Sequence, residues 1–288
     1  MLSIARSLAA VGRQAVAPVV GNGGRDGVAV QRLVDRVAKS GRLEPVDRFL
    51  LASASARWAL SNPYQGTGVA LLGEVTGEPA LIRMRDRMLE SAEGRSILKN
   101  RTPAFDSSLN AEFKPGTLGK LLQHCVPEER ARVSLIKDPE LGFVMRRYRD
   151  AHDIIHALTG FPVTVAGEVA LKWYESAATQ LPMTTLAAVF GMTRAEPNSA
   201  KLLAEWVPWA ASAGRKGTFY LSVPFSDYLH YDVDEFRHKV MKWPTLPPLL
   251  FDKEAILAHY GEAITQANRE GRDAVALKIE ADRVGSGH

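Results

Sequence analysis

PELGFVMRRYRDAHDIIHALTGFPVTVAGEVALKWYESAAT, residues 139–179, is the stretch on which the fold turns. Pro139 suits the first turn of a helix, where its missing N–H has no partner to lose, and the helix then runs through about Leu158. Gly160-Phe161-Pro162 ends it, and a second helix spans about Val165 to Thr179, so the pair forms a helix hairpin. His152 and His156 lie one turn apart on one face of the first helix, as two imidazoles gripping a single cation must. Asp153 sits about 60° round the helix from His156, near enough to be a further ligand or to fix an imidazole tautomer.

The reversal at Gly160 can carry Glu168 back onto the first helix, so that His152, Asp153, His156 and Glu168 converge as metal ligands. Two histidines with Asp and Glu suit zinc, cobalt or iron(II), and availability favours zinc. Other partners stay open, since Asp153 can pair with Arg149, and Glu168 with Lys172 at i,i+4. Asp in place of the zincin Glu reaches a bound water poorly, which disfavours protease chemistry. Tyr148, on the face of His152, is a candidate substrate contact together with Arg149 and Lys172, and Arg146 and Arg147 read as a solvated helix face.

Outward from the hairpin the chain also reads helical. Phe49, Leu50, Ala52, Ala56 and Leu60 give Pro45 to Leu60 a core stripe, and Asn62-Pro63 stops that helix. Thr67 to Leu72 reads as a short helical turn, Gly73 to Gly77 as a loop, and Pro79 to Ser91 as a helix with Leu81, Met84 and Met88 inward. A surface connection from Arg101 to Pro115 leads to a short helix near Thr117 to His124. Ala200 to Ala213 forms a helix bent at Pro208, and Phe219 to Val223 is a candidate lone strand. The tail reads extended from Trp243 to Pro248, then as polar helices at Lys253 to Tyr260 and Glu262 to Arg283. The expected class is all-α: one largely helical domain over residues 25–288, with a metal-binding hairpin and at most one short strand.

Composition narrows the function classes. At 46% hydrophobic and 24% charged, the 288 residues suffice for a packed core, and no run of eighteen apolar residues spans a membrane. The lone Cys125 excludes an internal disulfide and a thiolate zinc site, and its neighbour His124 points about 100° away round a helix, too far for a nucleophile pair. A net charge of +4 suits an anionic membrane surface; without a dense basic stripe, nucleic acid is not expected as a partner. No glycine-rich phosphate loop is present, which counts against nucleotide-cofactor enzymes. Met1 to Gly24 carries Arg6 and Arg13 and no acid, the pattern of a mitochondrial transit peptide.

Met145 to Met183, MRRYRDAHDIIHALTGFPVTVAGEVALKWYESAATQLPM, resembles the mitochondrial ubiquinone biosynthesis protein family, number four of the coenzyme Q series. Its His-Asp-x2-His-x11-Glu motif is matched by His152, Asp153, His156 and Glu168 without a gap. The likeness extends through Asn62-Pro63-Tyr64, Gly73-Glu74-Val75-Thr76-Gly77 and Trp206-Val207-Pro208-Trp209-Ala210, over roughly Pro45 to Phe225. From about Lys242 the chain continues past the shorter family members.

The resemblance implies a peripheral protein on the matrix side of the mitochondrial inner membrane, working in a complex with the other coenzyme Q enzymes and admitting a homodimer. It implies a lyase that decarboxylates a polyprenylated 4-hydroxy-3-methoxybenzoate at C1, with or without C1 hydroxylation. A bound cation, zinc by expectation, anchors a substrate oxygen, and Asp153 or Glu168 supplies a proton, with a water on the cation as the rival donor. Leu171, Trp173, Leu181, Met183 and Phe190 are candidates to line a prenyl groove or to be plain core. The other reading is a scaffold that organises those enzymes, its hairpin held together by the metal.

Overall fold

The computed structural model describes residues 24–40, 44–61, 66–104, 106–123, 135–161, 165–193 and 200–247. The transit-peptide reading, apart from Gly24 itself, His124, Cys125 and the two tail helices lie outside these. The described residues are helical, with no strand among them and an isolated bridge between Thr117 and Asp232. The all-α class is therefore observed. The residues divide into two compact units, one ending at Val75 and the other starting at Thr76.

In the first unit, α1 (Gly24–Ser40) packs on α2 (Pro45–Ser61), and α3 (Gly66–Thr76) follows. Val30, Val34 and Val37 recur at helical spacing and are buried. On α2 the buried stripe is Leu51, Ser55 and Trp58, while Phe49 is 70% exposed and Leu50 also faces outward. That corrects the expected core face: the sequence offers two adjacent stripes, and the packing neighbour selects one. Gly73 to Gly77 was expected to be a loop, yet α3 runs through Gly73 to Thr76. Burial of Leu71, Leu72 and Val75 outweighs the ~1 kcal/mol that a helical glycine costs.

The second unit opens with α4 (Glu78–Leu89), whose Leu81, Met84 and Met88 are buried as expected, and α5 (Ala92–Asn100), capped by the Ser91 hydroxyl. A 3-10 turn at Ser107–Asn110 interrupts the expected surface connection, and Thr117 caps the short α6 (Leu118–Leu122). The hairpin follows as α7 (Pro139–Thr159) and α8 (Val165–Thr179). Asp138 caps α7 by accepting from the N–H groups of Glu140 and Leu141, next to Pro139. At the other end Gly160 takes φ +68, a left-handed conformation that only glycine adopts without strain, and its N–H bonds the His156 carbonyl.

Two further helices hold α8: α9 (Pro182–Met192) and α10 (Ala200–Lys216). Gly214 lets α10 approach closely, since a Cβ there would stand 2.4 Å from the Tyr174 carbonyl oxygen. Trp206 of α10 stacks on Phe161 at the hairpin apex, with ring centroids 4.7 Å apart, and both rings are buried. Trp209 packs edge-on against Phe161 and against Trp243, so the chain beyond Lys242 begins as part of this core. Pro208 lies inside α10 on its exposed side, where its missing donor and bulky ring are best tolerated.

The expected strand at Phe219–Val223 is instead a 3-10 turn, Tyr220–Ser222. Its carbonyls find a guanidinium rather than a neighbouring strand: Arg147 donates to Leu221 O at 2.7 Å and Val223 O at 2.6 Å, and also to Thr102 O, beyond α5, at 2.9 Å. Arg147 is 1% exposed, so its reading as part of a solvated face is corrected, while Arg146 is exposed as expected. The remaining elements are a 3-10 turn at Phe225–Tyr228, the single turn α11 (Val233–Glu235) and a π turn at Phe236–Val240. From that last turn Arg237 donates to the Leu158 carbonyl at 2.7 Å and ties down the end of α7.

Candidate metal centre

Two turns of α7 and the first turn of α8 bring His152, His156 and Glu168 together, with one donor atom from each within 4.8 Å of the others. His156 Nε2 stands 3.0 Å from Glu168 Oε1, and His152 Nε2 stands 3.6 Å from Oε2. Donors on a tetrahedral cation with bonds near 2.0 Å are separated by roughly 3.3 Å, so these atoms fit a small divalent ion. The two imidazoles lie side by side, 4.7 Å between centroids with their planes nearly perpendicular. Nδ1 of His156 donates to the Phe161 carbonyl at 2.9 Å, which leaves its Nε2 lone pair for the site.

The charges agree with that geometry. Burial alone would push the Glu168 carboxyl up, but the His156 and His152 imidazoles hold it well below the ordinary carboxylate range. Burial opposes charge on His156 too, yet Glu168 beside it raises that imidazole. His152 moves the other way: burial and the Lys172 ammonium lower it, against the pull of Glu175 and Glu168. Glu168 is 34% exposed at its side chain, so the cluster opens to the surface on that side.

Behind His152 lies a residue that the sequence reading passed over. Glu175 is fully buried, and its Oε1 accepts from His152 Nδ1 at 2.8 Å. Its Oε2 accepts from Lys172 Nζ at 2.7 Å and from Tyr148 OH at 2.8 Å. Lys172 and His152 thereby hold the Glu175 carboxyl down at about 2 despite its burial. Lys172 pairs with Glu175 at i,i+3, and not with Glu168 at i,i+4 as the alternative reading of the sequence allowed. Tyr148 and Lys172 accordingly have their polar atoms on a carboxylate behind the cluster, and Arg149 is buried on α7. Asp153 is half-buried and outside the ligand-atom cluster, although its charge acts on His156. Spacing could have found Glu175: it follows Glu168 by seven residues, two helical turns along the same face.

Of the candidate groove residues, Leu171, Leu181 and Met183 are core, Trp173 is half-buried and Phe190 is exposed. Phe190 belongs to a different surface. With Leu186, Val189 and Met192 it forms an exposed apolar run on α9, a helix with no charged residue. Gly191 of α9 abuts Val169 of α8, which seats this helix on the second arm of the hairpin.

Residues 38–245 match the family model described as coenzyme Q (ubiquinone) biosynthesis protein Coq4. A ubiquinone biosynthesis protein coq4, mitochondrial, of Schizosaccharomyces japonicus is 35% identical over 220 residues, 72% of this chain and 92% of its own. The human ubiquinone biosynthesis protein COQ4 homolog, mitochondrial, is 37% identical over 216 residues, 71% of this chain and 81% of its own. A crystal structure from Nostoc punctiforme is matched over 77% of this chain and 99% of its own, at 19% identity and a TM-score of 0.45, too distant to bear on the site.

Proposed function

The chain belongs to the coenzyme Q (ubiquinone) biosynthesis protein Coq4 family, and from that premise we propose that it is a metal-dependent carboxy-lyase of the pathway. Its substrate is a polyprenylated 4-hydroxy-3-methoxybenzoate, from which it removes the C1 carboxylate. The observation that carries this reading is the donor count among the described residues: His152, His156 and Glu168 make three, one short of the closed set that a structural zinc site uses. Glu168 is exposed on one side, so a substrate oxygen could approach a cation held by these three residues.

His152, His156 and Glu168 would hold a divalent cation, zinc by availability, which when bound would supply positive charge to anchor the substrate's carboxylate or phenol oxygen. Glu168, kept ionised by its two histidines, serves as a ligand and not as the acid. The proton for C1 would come from Asp153, whose charge reaches His156, or from a water that the cation would polarise. The bond from C1 to the carboxylate then breaks, CO2 leaves, and the electron pair restores the aromatic ring. Coupling to C1 hydroxylation requires a two-electron oxidant from outside this chain. Arg149 is the remaining candidate to meet the substrate's anionic end, whereas Tyr148 and Lys172 support His152 through Glu175. Purified, metal-loaded protein given the prenylated benzoate is expected to release CO2 stoichiometrically with the decarboxylated ring; no turnover by folded, loaded protein would count against the assignment.

The prenyl tail takes the reaction to a membrane, since each buried methylene holds it there by about 0.8 kcal/mol. No helix among the described residues is long and apolar enough to cross one, and the relatives are named mitochondrial. We assign the chain to the matrix side of the inner membrane, beside the other coenzyme Q enzymes, with the apolar run of α9 as its lipid contact. In flotation with liposomes the protein is expected to rise with the vesicles, more with anionic lipid and less in high salt. Leu186→Asp with Phe190→Asp is expected to abolish flotation; binding unchanged by that pair removes α9 from the contact.

A further inference from the structure

We infer that Glu175 is the positioning residue of His152, fixing the tautomer that presents Nε2 to the cation; the inference rests on the metal-centre reading above. Nδ1 of His152 has two polar neighbours, Glu175 Oε1 at 2.8 Å and Lys172 Nζ at 3.3 Å. An ionised carboxylate only accepts, so the shorter contact requires a proton on Nδ1 and leaves the Nε2 lone pair facing the cluster. Glu175 cannot turn away from this task. Tyr148 and Lys172 both donate to its other oxygen, and the whole side chain is buried. The Lys172 ammonium also pairs the buried negative charge, which would otherwise be costly to keep so close beneath a ligand.

The two histidines are thus oriented by different means. His156 relies on the Phe161 carbonyl, a backbone group set by the hairpin turn, whereas His152 relies on a side chain. Glutamine at position 175 makes the distinction measurable. Its carbonyl oxygen faces the two donors, Lys172 and Tyr148, so its NH2 faces His152 Nδ1. That turns Nδ1 into an acceptor and moves the proton to Nε2, leaving no lone pair for a cation. The volume of the side chain is unchanged, so packing of α7 on α8 is preserved.

Long-range proton–nitrogen NMR correlations on the metal-free protein at neutral to mildly alkaline pH are expected to show His152 protonated on Nδ1. In Glu175→Gln the proton is expected on Nε2, and zinc affinity, read by competition with a chromophoric chelator, should fall about 10–100-fold. Circular dichroism of that variant should match the parent at room temperature, while its unfolding temperature falls because Lys172 loses its buried counter-charge. A wild-type His152 protonated on Nε2 overturns the inference, and so does a folded Glu175→Gln that binds zinc as tightly as wild type. The wild-type tautomer decides the matter even where the variant does not fold. Wild-type protein that takes up no zinc overturns the metal centre instead, and its His152 tautomer still decides what Glu175 does.

Discussion

Protein carrying both His152→Ala and His156→Ala is expected to leave purification and mild dialysis without stoichiometric divalent cation, where wild type retains about one per chain. The substitutions remove two of three converging donors. Binding to full protein sites is worth roughly 10–16 kcal/mol over four ligands, about 3 kcal/mol each, so losing two lowers affinity on the order of 10⁴-fold. Nothing else among the described residues gathers such a cluster, and the single cysteine cannot supply thiolates in replacement. Elemental analysis of the two proteins makes the comparison. Full occupancy in the double variant would remove His152 and His156 from the site and the metal centre with them.

Glu168→Gln is expected to abolish C1 decarboxylation while the fold and assembly with the other coenzyme Q enzymes persist. Gln is nearly isosteric, so it opens no cavity at the start of α8, but it carries no charge. Glu168 sits between both imidazoles, 3.0 Å from His156 Nε2 and 3.6 Å from His152 Nε2. Its charge is what a cation at that position requires, and a neutral amide holds a cation far more weakly. The reading of the chain as a scaffold forecasts the opposite. Cells carrying the variant should assemble the complex and accumulate the carboxylated prenyl precursor; ubiquinone made at the normal rate would leave the metal without a catalytic role.

Elements set by short-range patterns were legible in the chain. Asp138-Pro139 at one end and Gly160 at the other bound α7 within a residue or two of the sequence reading, because caps and left-handed glycines act within one turn. Helical spacing alone placed His152 and His156 on one face. The α2 stripe was misread for the complementary reason: Phe49 and Leu50 are as apolar as Leu51 and Trp58, and periodicity does not say which neighbour an amphipathic helix will meet. At Phe219–Val223 the apolar run suited a strand, but the described residues hold no second strand to pair with it, and Arg147, more than seventy residues away in sequence, takes two of its carbonyls.

The same division runs through the site. By itself the sequence determined an all-α chain, its helix hairpin, and a motif with the spacing of a family to which the chain belongs. Only tertiary structure decided that Glu168 meets both imidazoles while Lys172 turns to Glu175. The physical reason is range. A helix and its caps are fixed by interactions within about four residues, whereas the partner of a buried charge is chosen by which helices pack together and which oxygens that packing closes off from water.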